Sequence, residues 1–186
     1  LVAQRSAKTQ GEEETSMTAI CPTCNQDGRS VKSITLRSLI VDDQQDAIGD
    51  GQYFVCVTSD CPTVYFNDHG TRFDKAALRV RFGLKETTAP RPVCYCFNHA
   101  VEEIHEEIAR TGQSAVLDSI KADMKGPGCR CEQTNPLGAC CLNTVQAVVD
   151  EGFQIHGLSM PDANVPLDCC ATDDPRRNDL VSTTRT

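Results

Sequence analysis

The segment 93–142 opens with Val93-Cys94-Tyr95-Cys96 and closes with Thr134-Asn135-Pro136-Leu137-Gly138-Ala139-Cys140-Cys141-Leu142, preceded by Cys129 and Cys131. Between the two cysteine groups lies a helical stretch without cysteine. Two thiols one residue apart, followed by thiols that a helical hairpin brings back, can enclose a small iron–sulfur cluster, which takes four thiolates. The segment therefore predicts a helical region with a [2Fe–2S] site that includes Cys94 and Cys96.

Length and composition favour small metal-stapled units over one large core. The chain has 186 residues, 12 cysteines and no tryptophan. Its aliphatic residues build only modest cores, and bound metal can supply the missing folding free energy. The formal net charge of -8 argues against a nucleic-acid partner, because phosphate binding needs a clustered basic surface.

The cysteines also bear on location. The first eight residues lack the apolar run of a signal peptide, and no later run approaches transmembrane length, so we expect a cytoplasmic protein without membrane association. Dense cysteine there indicates metal binding more often than disulfides. The even cysteine count keeps a secreted disulfide protein as the alternative.

An earlier cysteine pattern predicts a zinc site. It consists of Cys21-Pro22-Thr23-Cys24 and Cys56-Val57-Thr58-Ser59-Asp60-Cys61. Four thiolates in two short turns are typical of a closed tetrahedral zinc site with a structural role. A redox dithiol at Cys21 and Cys24 is the alternative, but that motif normally opens a helix, whereas Asn25-Gln26-Asp27-Gly28 continues as a turn.

The predicted fold class is α+β. Strands are expected over Val31–Leu36, Tyr53–Val55, Val64–Asn67 and Leu78–Phe82, where apolar residues alternate or run together. Helices are expected from near His99 with Asn98 as N-cap, after the cap residue Ser114, and from Asn143 through Val149 with Gly152 as the stop. Among glutamates, His105 should be solvated.

These patterns divide the chain into four parts. We expect a disordered arm over 1–18, a zinc-stapled β-rich subdomain over 19–92, a helical [2Fe–2S]-binding subdomain over 93–156, and a flexible tail over 157–186. The segment 86–92 carries two prolines and should form a short, stiff connector between the subdomains.

The motifs together resemble a known family. The cysteine turns at 21–24 and 56–61, the run Val64-Tyr65-Phe66-Asn67, and the two motifs of segment 93–142 resemble the amino-terminal domain of CopZ-type copper chaperones. The later part alone resembles the bacterioferritin-associated ferredoxin type of [2Fe–2S] domain. The resemblance covers residues 19 to 150.

The resemblance implies specific ligands. It assigns zinc to Cys21, Cys24, Cys56 and Cys61, and it assigns the cluster to Cys94, Cys96, Cys131 and Cys141. Cys140 is an alternative to Cys141, and Cys129 is an alternative to Cys131. The resemblance also implies reduction of Cu(II) to Cu(I). CopZ chaperones continue into a copper domain with a Met-x-Cys-x-x-Cys loop, and these 186 residues contain no such loop.

Three functions follow from these patterns. The first is an iron–sulfur redox protein with structural zinc that transfers single electrons to copper ions or to a copper-handling or redox partner. The second is a non-enzymatic protein that binds Cu(I) or another soft metal, with Cys169-Cys170 as extra thiols. The third is a ferredoxin-like docking protein whose partner contacts Glu102, Glu103, Glu106 and Glu107.

Overall fold

The computed structural model describes residues 18–125 and 128–159. Almost all of the predicted arm, most of the predicted tail and the Cys169-Cys170 pair lie outside the described residues. Within them the fold is mixed α+β, with an antiparallel sheet and several helices, as the sequence predicts. No helix in this part of the chain has the length and apolar character needed to cross a membrane.

The first half of the described chain forms a five-stranded antiparallel sheet whose strands follow one another in chain order. The strands are β1 (Thr18–Ile20), β2 (Asp27–Val31), β3 (Tyr53–Cys56), β4 (Thr63–Asn67) and β5 (Arg72–Asp74). Every residue of β3 and β4 is buried. Both faces of the sheet centre are therefore covered.

Alternation along β3 sends side chains to two different cores. Tyr53 and Val55 belong to the larger core of the sheet region, beneath helix α1 (Ser33–Leu39). Phe54 faces the opposite side, where its ring stacks on Phe66 with 5.7 Å between centroids, beside the cysteines of the two turns. The sheet thus carries a cysteine-rich core on one face and a larger core of aliphatic and aromatic residues on the other.

Two predicted strands are wrong. Residues 33–36 belong to α1, and the buried Thr35, Leu36 and Leu39 lie on one helical face over the sheet. Leu78–Phe82 contributes only a bridge from Leu78 to Ile40, and short 3-10 turns precede and follow it at Lys75–Ala77 and Gly83–Lys85. In both stretches burial follows a spacing of three or four residues.

The second half forms a helical region that begins with a small two-stranded ladder. Its elements are β6 (Pro92–Cys94), β7 (His99–Ala100), α2 (Val101–Thr111), α3 (Val116–Met124), α4 (Cys131–Thr134) and α5 (Leu142–Ile155). Its core contains the fully buried Ile104, Ile108, Ile120, Val145 and Phe153. A further 3-10 turn, Asp42–Ala47, lies in the sheet region.

Three local predictions about these helices are wrong. Asn98 is not an N-cap: it sits in a left-handed turn with φ 58°, and α2 begins only at Val101. Gly152 does not end α5, which continues to Ile155. A Cβ at Gly152 would lie 2.7 Å from Ile108, so this glycine lets α2 and α5 approach closely. His105 is not simply solvated, since its Nε2 lies 3.1 Å from the Val148 carbonyl oxygen.

Candidate metal centre

Hairpin geometry brings the first four cysteines together. Antiparallel pairing of β2 with β3 places Gly28 opposite Cys56, so the turns that precede β2 and follow β3 lie side by side. The turn at Cys21 closes with Asn25 at φ 56°, and the Cys21 amide donates to the Gln26 carbonyl at 2.8 Å. Asparagine tolerates this left-handed conformation better than most residues.

The structure places these four sulfurs in one tight group. We call it the first sulfur site; its members are Cys21, Cys24, Cys56 and Cys61, whose Sγ atoms all lie within 4.8 Å of one another. The Cys21–Cys61 and Cys24–Cys56 sulfurs are 3.9 and 3.6 Å apart. Zinc–sulfur bonds of about 2.3 Å in a tetrahedron require sulfur–sulfur edges of about 3.8 Å. The site fits one tetrahedral ion.

Burial and a hydrogen bond to Thr58 shift the pKa values of the first-site thiols in opposite directions. The Thr58 hydroxyl, 3.5 Å from Cys24 Sγ, is the main reason that the pKa of this thiol falls to about 6. Burial raises the pKa of Cys61 to about 12 and also raises that of Cys21. Because thiols bind metal as thiolates, a metal ion at this site would displace the protons of Cys21 and Cys61.

A second sulfur site comprises Cys94, Cys96, Cys131 and Cys141. Its sulfurs contact in two pairs that join the early motif to the late one: Cys141 donates to Cys94 at 3.2 Å, and Cys96 lies 3.7 Å from Cys131. The Cys141 side chain is the main reason that the pKa of Cys131 falls to about 5. The four sulfurs thus form two close pairs.

Further donors surround the second sulfur site. The Arg130 amide donates to Cys96 Sγ at 3.3 Å, and the Thr134 hydroxyl lies 3.2 Å from the same sulfur. The bond from Cys141 is the main cause that lowers the pKa of Cys94 to about 7, with backbone amides adding to it. Hydrogen bonds of this kind stabilise metal-bound thiolates. Sequence spacing alone did not single out Thr58 or Thr134; the only signal for Thr134 was its place in the Thr-Asn-Pro motif.

The two remaining described cysteines lie beside the second sulfur site. Cys129 and Cys140 are half-buried and pack at the edge of the helical core. Burial raises the pKa of Cys129 to about 11. Of the adjacent pair at 140 and 141, it is Cys141 that reaches Cys94, and it is only 3% exposed.

The loop between Cys131 and Cys141 is seated on the sheet region. Tyr65, fully buried in β4, donates its hydroxyl to the Pro136 carbonyl at 2.8 Å. Thr35 of α1 donates to the Glu132 carbonyl at 2.6 Å. Gly138 has φ +62°, and a Cβ there would lie 2.8 Å from a Val31 methyl. The sheet region therefore fixes the path of the chain that carries the later cysteines.

Comparisons with known proteins agree with this architecture. The family zf_CopZ, described as a zinc binding domain, matches residues 18–79. The copper chaperone CopZ of Archaeoglobus fulgidus is 33% identical over 137 residues, which are 74% of this chain and 63% of that protein. The X-ray structure of the N-terminal domain of the same CopZ superposes with a TM-score of 0.60 at 30% identity, covering 70% of this chain and 97% of that domain.

The chain belongs to the CopZ family. The likeness to the CopZ N-terminal domain extends over nearly all of that domain, so it includes both the sheet and the helical region. The zinc binding match ends at residue 79 and contains all four cysteines of the first sulfur site. The chain spans 63% of the length of the curated CopZ it matches.

Proposed function

We propose that this CopZ-type chain binds soft metal ions through its two sulfur sites and serves copper handling without catalysing a reaction of its own. The observation that carries the proposal is the first sulfur site, four cysteine sulfurs within 4.8 Å of one another. Thiolate ligands select zinc and Cu(I) over harder ions. The named activity of the Archaeoglobus relative, copper chaperone, supports the assignment to copper.

Zinc is the ion we propose for the first sulfur site. Cys21, Cys56 and Cys61 are buried, and a closed four-sulfur site leaves no position open for a substrate. The match to a zinc binding domain family supports the same ion. Its role would be to hold the two hairpin turns together, which is the usual work of such sites in small domains.

The second sulfur site is where we propose that the protein binds and releases copper ions. Cys96 is half-buried, unlike the other three cysteines of this site, so one edge is open to approach. Its sulfur pairs suit Cu(I), which accepts two or three thiolates. The proposed partners are copper ions and a copper-handling protein.

A [2Fe–2S] cluster at the second sulfur site is a second candidate, and one observation favours it. The four sulfurs form two pairs, Cys94 with Cys141 and Cys96 with Cys131, as two irons with two thiolates each require. Bound there, a cluster would supply single-electron transfer, including reduction of Cu(II) to Cu(I). The chain's own part is to hold the thiolates and donate amide hydrogens such as that of Arg130 to them.

One measurement separates these candidates. The protein is purified under nitrogen, and zinc, copper, iron and acid-labile sulfide are quantified per chain. One zinc with Cu(I) taken up on titration, and no sulfide, supports the copper-binding proposal. About two irons and two sulfides beside one zinc supports the cluster. Absence of zinc from both the purified and the zinc-titrated protein would contradict the assignment of the first sulfur site.

A further inference from the structure

Lys85 places a buried positive charge beside the first sulfur site. It is 3% exposed, and its Nζ donates to the carbonyls of Thr58 at 2.6 Å and Cys61 at 3.0 Å. A buried ammonium needs an opposite charge nearby. Among the residues that the structure describes, no carboxylate lies within ion-pair distance of it. A divalent ion bound by four thiolates carries a net negative charge and would supply the counter-charge.

The same lysine belongs to a turn that contacts the second sulfur site. This turn, Gly83–Lys85, offers its first amide to the Tyr95 hydroxyl oxygen at 3.0 Å. The Tyr95 hydroxyl in turn donates to the Arg81 carbonyl at 3.1 Å. Tyr95 is the residue between the two cysteines of the Cys-Tyr-Cys motif. One short turn thus bonds to the chain at both sulfur sites.

The turn also packs on β6 without free space. A Cβ at Gly83 would lie 1.9 Å from the Pro92 carbonyl oxygen. Pro92 begins the strand that ends at Cys94. A displacement of the turn is therefore transmitted to this strand, because backbone contacts at van der Waals distance cannot be compressed.

We infer that the turn Gly83–Lys85 couples the two sulfur sites, so that metal binding at the first site holds the Cys-Tyr-Cys motif of the second in its paired position. The inference rests on the proposed metal binding at the first sulfur site. Lys85 and Tyr95 are positioning residues in this arrangement. Because coupling between sites is reciprocal, a ligand at the second site strengthens metal binding at the first by the same factor.

The rate of thiol alkylation can be measured at both sulfur sites in one experiment. The reduced, metal-free chain receives one equivalent of zinc, and iodoacetamide labelling of each cysteine is followed by mass spectrometry. Zinc should protect the first sulfur site directly. We expect it also to slow labelling of Cys94, Cys96, Cys131 and Cys141 by about tenfold, a typical size for coupling between sites.

Two substitutions test whether Tyr95 and Lys85 carry the coupling between the sulfur sites. Tyr95→Phe removes only the hydroxyl, and Lys85→Met removes the charge at similar length; in each, zinc should still protect the first site while protection of the second falls to less than about twofold. Tyr53→Phe is the matched control. Its buried hydroxyl has no hydrogen-bond partner within the described part of the chain, so the coupling should remain.

Each outcome decides one claim. If zinc fails to protect the first sulfur site, the proposed function fails. If the first site is protected while the second labels at its metal-free rate, the coupling alone is overturned. Protection of the second site that persists in Tyr95→Phe and Lys85→Met also overturns it, since zinc then acts there by another route.

Discussion

At the scale of single residues, an ion pair between Arg91 and Glu102 stabilises the start of the helical region. Arg91 Nε donates to one carboxylate oxygen of Glu102 at 2.7 Å, and the Arg91 amide donates to the other at 2.9 Å. Burial opposes ionisation of Glu102, but the bonds from Arg91 outweigh it and lower its pKa to about 2. The pair joins the chain before β6 to the first turn of α2.

Acidification should weaken this pair in a defined range. A depressed carboxyl pKa stabilises the fold above the ordinary value of 4.5, and that contribution is lost as pH falls toward about 2. Glu102→Gln should therefore cost about 1–2 kcal/mol at pH 6, after allowance for solvent screening, and less at pH 3. Urea unfolding of both proteins at the two pH values measures the difference.

Glu106→Gln is the control for this prediction, because Glu106 is an exposed glutamate of the same helix. Its effect on the free energy of unfolding should be small at both pH values. An effect of Glu102→Gln that stays equal at pH 6 and pH 3 would contradict the assigned role of the ion pair.

At the scale of elements, the turn Gly83–Lys85 packs closely on β6, and of the described glycines Gly83 leaves the least room for a Cβ. Gly83 itself is buried, and the backbone of Pro92 occupies the space that a side chain would need. Flexible side chains can move away from an added methyl group, whereas the backbone of β6 cannot do so without moving Cys94 of the second sulfur site.

Gly83→Ala should therefore destabilise the protein by about 1–3 kcal/mol, the usual cost of overpacking. Gly49→Ala is the matched change, because a Cβ there meets nothing within 4 Å and should alter stability by less than about 0.5 kcal/mol. Urea midpoints of the two variants provide the comparison, and equal midpoints would show that β6 yields to the extra methyl group.

Element prediction from sequence succeeded where periodicity was long or strongly apolar, as in β3, β4 and α2. It failed over Val31–Leu36 and Leu78–Phe82, because a few apolar residues satisfy both a two-residue and a helical period. Tertiary packing determines whether such a stretch becomes a helix or a strand. Here α1 forms because a helix lets Leu36 and Leu39 cover the sheet.

Prediction of the two sulfur sites from sequence has a similar limit. Spacing alone predicted which thiols form the first sulfur site, since both turns are local, and the structure brings those four together. In the second set, spacing predicted Cys94 and Cys96, and family resemblance added Cys131 and Cys141. The sulfurs of this site pair across the helical hairpin, and the loop that carries Cys141 bonds to Tyr65. Both contacts depend on long-range packing, which a local sequence pattern does not predict. The ligand roles themselves stay predictions.

At the scale of the whole molecule, stability should depend on bound metal. The described chain divides its apolar residues among three separate clusters, each modest in size. One of them consists largely of first-site cysteines with Phe54 and Phe66. Four thiols, three of them buried, hold this cluster together poorly unless an ion binds them.

Removal of metal with a strong chelator should lower the midpoint of thermal unfolding by about 10 °C or more. Added zinc should restore it, and added magnesium should not, because magnesium prefers oxygen ligands. Circular dichroism under reducing conditions measures the transition. A midpoint that chelation leaves unchanged would mean that metal contributes nothing to the fold.

The contact between the Cys131–Cys141 loop and the sheet region determines which fragments of this protein can keep the second sulfur site intact. Tyr65, Thr35 and Val31 all precede residue 92, yet they contact the chain between the later cysteines. A fragment cut at the start of the helical region would keep every second-site cysteine and lose the surface that shapes their loop. The helical half therefore does not contain everything that shapes its cysteine loop: the cysteines of the second sulfur site follow residue 92, and the side chains that contact their loop precede it.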